Sequence, residues 1–283
     1  MPAVACLNGV WQAPNDARVS VLDRGFMFGD GVYEVIPAYQ GKPFTLERHL
    51  KRLGASLDEI RIRNPMDDAT WTKLIHDAVE RCAESPAYVY VQVTRGVAEI
   101  RSHEYPANAE PTVLVMAWHA PILSRESIRP YRATVMDDFR WSRGHIKSVS
   151  LIAAGMLKNE AIANGYDDAI LVRDGLVTES TAANVFIALD GKLVTPPKSN
   201  LLLHGITRDL IVELCQDNGV ELEEREITVA ELEAADEVMI SSSGHEIWPV
   251  GELDGKPVGN GAAGALWQQV DDLFQAYKTE VCG

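Results

Sequence analysis

The chain has 283 residues, 46% of them hydrophobic, with 26 Lys+Arg against 41 Asp+Glu and a formal charge of −15 at pH 7. That is enough apolar material for one large core or two medium ones. So acidic a surface repels phosphate backbones and anionic lipid alike, which argues against nucleic-acid and membrane roles.

The opening "MPAVACLNGVWQ" lacks the basic and apolar regions of a signal peptide, and no apolar run approaches the ~20 residues that a bilayer requires. A cytoplasmic protein is expected. Cys6, Cys82, Cys215 and Cys282 show no C-x-x-C spacing, so reduced thiols and no metal site are expected. "VYEVIPAYQGKPF" predicts a hairpin about Gln40-Gly41, and "LERHLKRLGASLDEI" an amphipathic helix. "AYVYVQVTRG" and "PTVLVMAW" alternate like half-buried strands. Residues 1–119 thus predict a small α/β domain. Pro121 and Pro130 break the pattern, placing a linker at 120–128 ahead of a larger α/β domain at 129–283. There, "AILVRDGLVTE" and "NVFIALDGKLVT" carry Asp-Gly hairpin turns. "TRDLIVELCQDNG" predicts a helix from a Thr207 N-cap to a stop at Gly219, and "ALWQQVDDLFQAY" a terminal helix. "GNGAAG", Gly259 to Gly264, matches a dinucleotide fingerprint, but only 19 residues follow it. It reads as a flexible lead into the last helix.

In "FRWSRGHIKSVSLIAA", Lys147 follows Arg140, Arg143 and His145 and precedes an apolar run, Val149 to Ala154, that is expected to be buried. Most lysines at such an edge extend their heads to water. A partly desolvated one instead serves as a Schiff-base nucleophile or proton carrier. Partners elsewhere decide between the two. "HGITRDL" sets the N–H groups of Ile206 and Thr207 at a helix start, where unpaired donors and the helix dipole favour a phosphate. Ser242 and Ser243 in "ISSSG" supply hydroxyls at a strand end, and Arg52 in "RHLKRL" offers a bidentate phosphate contact. Singly, these read as a helix cap, a polar turn and a surface arginine. Glu179, in "TESTAANVF", lies beyond an Asp-Gly hairpin. Alone it is a turn residue, but a carboxylate facing a pyridine nitrogen keeps that nitrogen protonated and makes the ring an electron sink, as pyridoxal 5′-phosphate (PLP) chemistry requires. Taken together, the four segments point to PLP.

"LDRGFMFGDGVYEVI", "HLKRL", "IKSVSLI", "TESTAANVF", "HGITRD" and "SSSGHEIWPV" follow one another in the order and approximate spacing of the fold-type IV PLP enzymes, which the chain resembles over nearly its whole length. The resemblance implies a two-domain α/β (α+β) architecture with the cofactor at the domain interface. By the same resemblance Lys147, carried by the C-terminal domain, forms the Schiff base and Glu179 pairs with the pyridine nitrogen. Arg52, Ile206, Thr207, Ser242 and Ser243 match phosphate-binding positions, and Leu203 packs against the ring. A homodimer is implied as well.

Substrate-facing residues choose the reaction. In "VTRGVAEIRSHEYP" the pair Arg101-x-His103 resembles the carboxylate trap of D-amino-acid aminotransferases, completed by Tyr33, and acts by resemblance in the partner's site. An arginine fork beside an imidazole also suits a carboxylate on physical grounds; the plain alternative is a solvated loop charge. The loop from Arg95 to Arg101 is about one residue longer than the family pattern, and Gly244 stands where a hydroxyl residue is common. The expected activity is transamination between D-amino acids of the D-alanine type and 2-oxo acids such as 2-oxoglutarate or pyruvate. A branched-chain L-amino-acid or R-amine transaminase, an aminodeoxychorismate-type lyase and a non-catalytic PLP-binding protein are the alternatives.

Overall fold

The computed structural model describes residues 4–120 and 125–283, which form two compact units. The expected linker, 120–128, lies partly outside the described residues.

In the first unit Val4–Leu7 (β1) and Val10–Gln12 (β2) pair, Arg24–Phe28 forms a short helix (α1), and Gly31–Tyr39 (β3) turns back into Lys42–Pro43 (β4). Gln40 and Gly41, the expected turn, take φ of 50° and 78° there, the left-handed pair that a tight hairpin requires. Leu46–Glu59 (α2), Asp68–Cys82 (α3), Ala87–Thr94 (β5) and Thr112–His119 (β6) follow. The sheet order is β2-β1-β6-β5-β3-β4, antiparallel throughout. Period-two alternation turns Val89, Val91 and Val93 of β5 to one face. There they meet Leu53 and Leu57 of α2 and Trp71 and Ile75 of α3 in one buried cluster. Each such side chain contributes about 1.5–3 kcal/mol on burial.

This unit also takes in Ile146–Ser150, so the lysine expected in the C-terminal domain belongs to the N-terminal unit. The main-chain N–H of Tyr33 donates to the carbonyl of Lys147 at 2.9 Å, and that of Val149 to the carbonyl of Gly31 at 3.0 Å. Ile146 is buried in the unit's core.

The second unit holds Tyr131–Asp137 (β7), Ile152–Ala163 (α4), Asp168–Arg173 (β8), Leu176–Ser180 (β9), Asn184–Leu189 (β10) and Lys192–Thr195 (β11). Ile206–Asp217 (α5), Leu222–Glu224 (β12), Val229–Glu233 (α6), Glu237–Ser242 (β13), Glu246–Leu253 (β14) and Lys256–Pro257 (β15) follow, and Ala265–Cys282 (α7) comes last. Its main sheet runs β12-β11-β10-β13-β14-β7-β8-β9, with β15 paired to β14. Both Asp-Gly turns form where expected: Asp174-Gly175 joins β8 to β9 and Asp190-Gly191 joins β10 to β11, all with positive φ.

Three local expectations change. The α5 N-cap is Gly205, not Thr207, which sits buried in the first turn. A Cβ at residue 205 would collide with the Asn184 side chain, so glycine holds the position. The apolar run from Val149 to Ala154 is not buried. α4 buries only Leu157 and Ala161, against Ala169 and Leu171 of β8, and leaves Leu151, Ile152 (80% exposed), Met156 and Ile162 facing outward. In the glycine run before α7, a side chain on Gly264 would strike Glu237. The Glu237 carboxylate instead accepts from the N–H groups of Leu266 and Trp267 at 2.9 and 2.8 Å, capping the helix start. No helix among the described residues is long and apolar enough to cross a membrane.

Candidate active site

The first unit brings together Lys147, Tyr33 and a buried ion pair. The Nζ of Lys147 lies 4.2 Å from the centre of the Tyr33 ring, which also stacks on Tyr90 at 5.6 Å. Alternation along β3 turns Glu34 to the opposite face. There Arg52, on α2, donates from Nε and Nη2 to its two carboxylate oxygens at 2.8 Å each, while His49 Nδ1 lies 2.8 Å from Oε2. Burial opposes the charge on Glu34, but Arg52 wins and holds the carboxyl down to about 2. Burial likewise lowers His49, against the pull of Glu34, so the imidazole is neutral at ordinary pH. The arginine read from sequence as a phosphate ligand thus makes a fork-to-fork pair with Glu34, and His49 is a member of the cluster that sequence reading missed. Its signal was available: His49 and Arg52 stand three apart on one helix face.

Arg101 and His103 lie on the exposed stretch between β5 and β6, and both pack on Phe28. The Arg101 guanidinium is 5.0 Å from that ring's centre, and the His103 ring 5.5 Å. The structure therefore gathers the expected pair at one place.

In the second unit Glu179, at the end of β9, is buried and accepts three hydrogen bonds. Arg140 Nη1 donates at 2.6 Å, the main-chain N–H of Leu203 at 3.1 Å and Asn184 Nδ2 at 3.4 Å. Burial pushes the Glu179 carboxyl above its usual range, and the Arg140 charge pulls against it. Arg140 is in turn gripped by Asp138, which accepts from Nε and Nη2 at 2.9 Å each. Against the push of burial, Arg140 and Thr178 hold Asp138 low. The sequence showed Arg140 only as a basic neighbour of Lys147, because Glu179, the partner that ties it to the site, lies 39 residues along the chain. Leu203 also accepts from Asn184 Nδ2 at 2.8 Å, which ties this turn to the start of β10.

Ile206 and Thr207 are the first two residues of α5, whose start has no side-chain cap, so its first N–H groups point out of the helix end. Ser242 closes β13, where its Oγ accepts from the His245 N–H at 3.2 Å, and Ser243 follows. Beside them the Oγ of Ser241 is buried with no hydrogen-bond partner among the described residues. A Cβ at Gly244 would meet only Ser242 Oγ, at 3.9 Å, so the missing hydroxyl there reflects no lack of room.

These groups fit a phosphorylated pyridine. Glu179 has about four lone-pair positions and uses three, which leaves one for a ring N–H. The bare helix start and the orphaned hydroxyl suit a phosphate.

Known proteins resemble the chain over nearly its whole length. The family described as Amino-transferase class IV matches residues 31–253. A D-alanine aminotransferase of Bacillus licheniformis is 39% identical over 268 residues, covering 95% of this chain and 94% of that protein. Among solved structures, the branched-chain amino acid aminotransferase of Escherichia coli superposes with a TM-score of 0.89 at 25% identity, covering 98% of this chain and 94% of that one. A branched-chain amino acid aminotransferase of T.th., solved with pyridoxamine 5′-phosphate, has a TM-score of 0.89 at 27% identity, covering 97% and 93%.

Proposed function

Since this chain belongs to the class IV aminotransferases, a family of PLP-dependent enzymes, we propose that it transfers the amino group of D-amino acids, of the D-alanine type, to 2-oxo acids such as 2-oxoglutarate or pyruvate. When bound, the cofactor supplies an aldehyde to take the amino group and a ring to spread the charge left at Cα. Lys147 would be the amine that anchors it, and once freed by the substrate amine its Nζ would take the Cα proton. Glu179 would accept the ring N–H through its remaining lone-pair position and so favour the protonated ring, with Arg140 favouring its charged form. Ile206, Thr207, Ser242 and Ser243 would hold the phosphate through N–H and hydroxyl donors, Arg52 would add charge from its pair with Glu34, and Leu203 would pack on the ring.

The observation that carries the D-specific reading is the convergence of Arg101 and His103 on Phe28. A fork and an imidazole side by side grip a substrate α-carboxylate, with the Tyr33 hydroxyl as third donor. A carboxylate held from one side leaves the Cα hydrogen a single productive direction. The sequence likeness to D-alanine aminotransferases supports the same choice, whereas the likeness to branched-chain enzymes in structure keeps L-leucine as the second reading.

We place the enzyme in the cytoplasm, where its four buried, reduced cysteines are at home. We also read it as a homodimer in which Arg101 and His103 serve the partner's site. The outward apolar side chains Ile152, Met156, Phe26 and Ile100 support a subunit contact.

The test compares kcat/KM for D-alanine, L-leucine and R-1-phenylethylamine in the parent and in Arg101→Ala. The expected result is a preference for D-alanine, lost by roughly tenfold or more when the charged contact goes, with the amine indifferent. A parent that prefers L-leucine makes the branched-chain reading correct, and pyruvate formed without an amino acceptor indicates a lyase.

A further inference from the structure

Residues 98–111, which include Arg101 and His103, contain no helix or strand. Charged groups fix them instead. Arg24, buried on α1, donates from Nη1 to the carbonyls of Ser102 at 2.6 Å and Glu104 at 3.3 Å, and from Nε to Asp30 at 2.7 Å. Asp30 also receives the Arg95 fork, with Nε at 2.8 Å and Nη2 at 3.0 Å. Arg95 is buried too, and its remaining donors reach the carbonyls of Ile60 at 2.7 Å and Arg61 at 3.0 Å. Its guanidinium lies 3.6 Å from the centre of the Tyr105 ring, so the far end of the loop stacks on the same cation. Two arginines packed this closely would repel each other, and the shared carboxylate of Asp30 lets both remain buried.

The atom that Arg24 holds matters. Ser102 is the residue between Arg101 and His103, and both neighbours reach Phe28, whose ring also lies 4.7 Å from the Arg24 guanidinium. Fixing the Ser102 carbonyl therefore fixes the direction in which the two side chains leave the chain.

We propose that Arg24, Asp30 and Arg95 are positioning residues that clamp the 101–105 loop, so that Arg101 and His103 present a preformed grip to the carboxylate of the amino acid. This rests on the D-amino-acid reading above. The clamp touches no reacting atom; it acts through the two loop residues.

The experiment uses the holoenzyme with two substitutions of different risk. Tyr105→Leu alters a side chain that is 55% exposed and leaves the buried charges intact. Arg24→Lys keeps the charge but loses the fork. In both, KM for D-alanine should rise roughly fivefold or more while kcat at saturation stays within about twofold, since a loosened grip weakens binding before chemistry. The inhibition constant of propionate, a carboxylate with no amine to transfer, should rise in parallel. For Tyr105→Leu, cofactor absorbance and melting temperature should match the parent. Unchanged KM and propionate inhibition in both variants would overturn the clamp, as would a fall in kcat and melting temperature with KM unmoved. Arg101→Ala measured alongside separates the two readings. If it leaves KM unaltered, the carboxylate grip itself is wrong and the clamp falls with it. If it raises KM while neither clamp variant does, only the clamp is wrong.

Discussion

Arg140 sits between two carboxylates and favours the charged form of one that burial pushes up. Burial raises the Glu179 carboxyl, and the Arg140 Nη1 donor, on a guanidinium braced by Asp138, pulls against that. Arg140→Met removes the cation and keeps the bulk, so the Glu179 carboxyl rises further and ionises only at higher pH. The acid limb of the pH–rate profile should shift upward, cofactor should dissociate more readily, and stability should fall by about 3 kcal/mol as a buried charge loses its partner. Absorbance of bound cofactor against pH, together with melting temperature, reads all three. A second residue-scale expectation concerns Glu34 and His49. Glu34 is held near 2, against 4.5 when unfolded, so it contributes stability above pH 4.5 that is lost as pH falls toward 2. His49 is lowered from 6.5, so below about 6.5 the unfolded chain binds a proton that the folded chain refuses, and stability falls in the same direction. Melting temperature should therefore decline in two stages on acidification, and Glu34→Gln should remove the lower one.

The start of α5 shows how an element can be legible while its boundary is not. Apolar spacing located the helix, but a threonine in the right context outweighed the glycine two residues before it. The reason lies at β10: Asn184, which also serves Glu179 and Leu203, occupies the space beside Gly205. Gly205→Ala should displace Asn184 and cost about 1–3 kcal/mol through overpacking. Cofactor affinity should weaken along with stability, because the displaced Asn184 amide holds both the Leu203 carbonyl and the Glu179 carboxylate; titration of the apoenzyme with PLP would show whether the two losses travel together. The Asp-Gly hairpins were readable because their chemistry is local, a left-handed pair between two β-prone runs. The outward face of α4 was not, since an apolar run in sequence does not say whether its cover comes from its own chain. The Glu34–Arg52 pair, the Arg140 bridge and the Arg24–Asp30–Arg95 clamp stayed hidden for a related reason. Each depends on a side chain that only the folded sheet brings into reach, whereas Lys147 and Glu179 stand in short stretches that the sequence could single out as candidates.

At the scale of the whole molecule, the homodimer reading makes a prediction that needs no structure of the assembly. Lys147→Ala and Arg101→Ala proteins, mixed, unfolded and refolded together, form hybrids in which one site has an intact lysine and receives an intact arginine from the other subunit. At low D-alanine, activity should recover to about one quarter of the parent, since half of random dimers are hybrids with one working site of two. No recovery would place Arg101 in its own subunit's site. The composition, at −15, could not show that the lysine segment packs with the N-terminal unit. That detour also bears on the order of events during folding. β3 leaves the ribosome more than a hundred residues before the segment that pairs with it, so the Tyr33–Lys147 and Gly31–Val149 hydrogen bonds close a very long loop. The lysine is therefore expected to take its place late, after the strands around it have assembled, which would leave a nascent chain poorly equipped to capture the aldehyde. On refolding from urea with PLP present, the absorbance of bound cofactor should appear after the main change in tryptophan fluorescence.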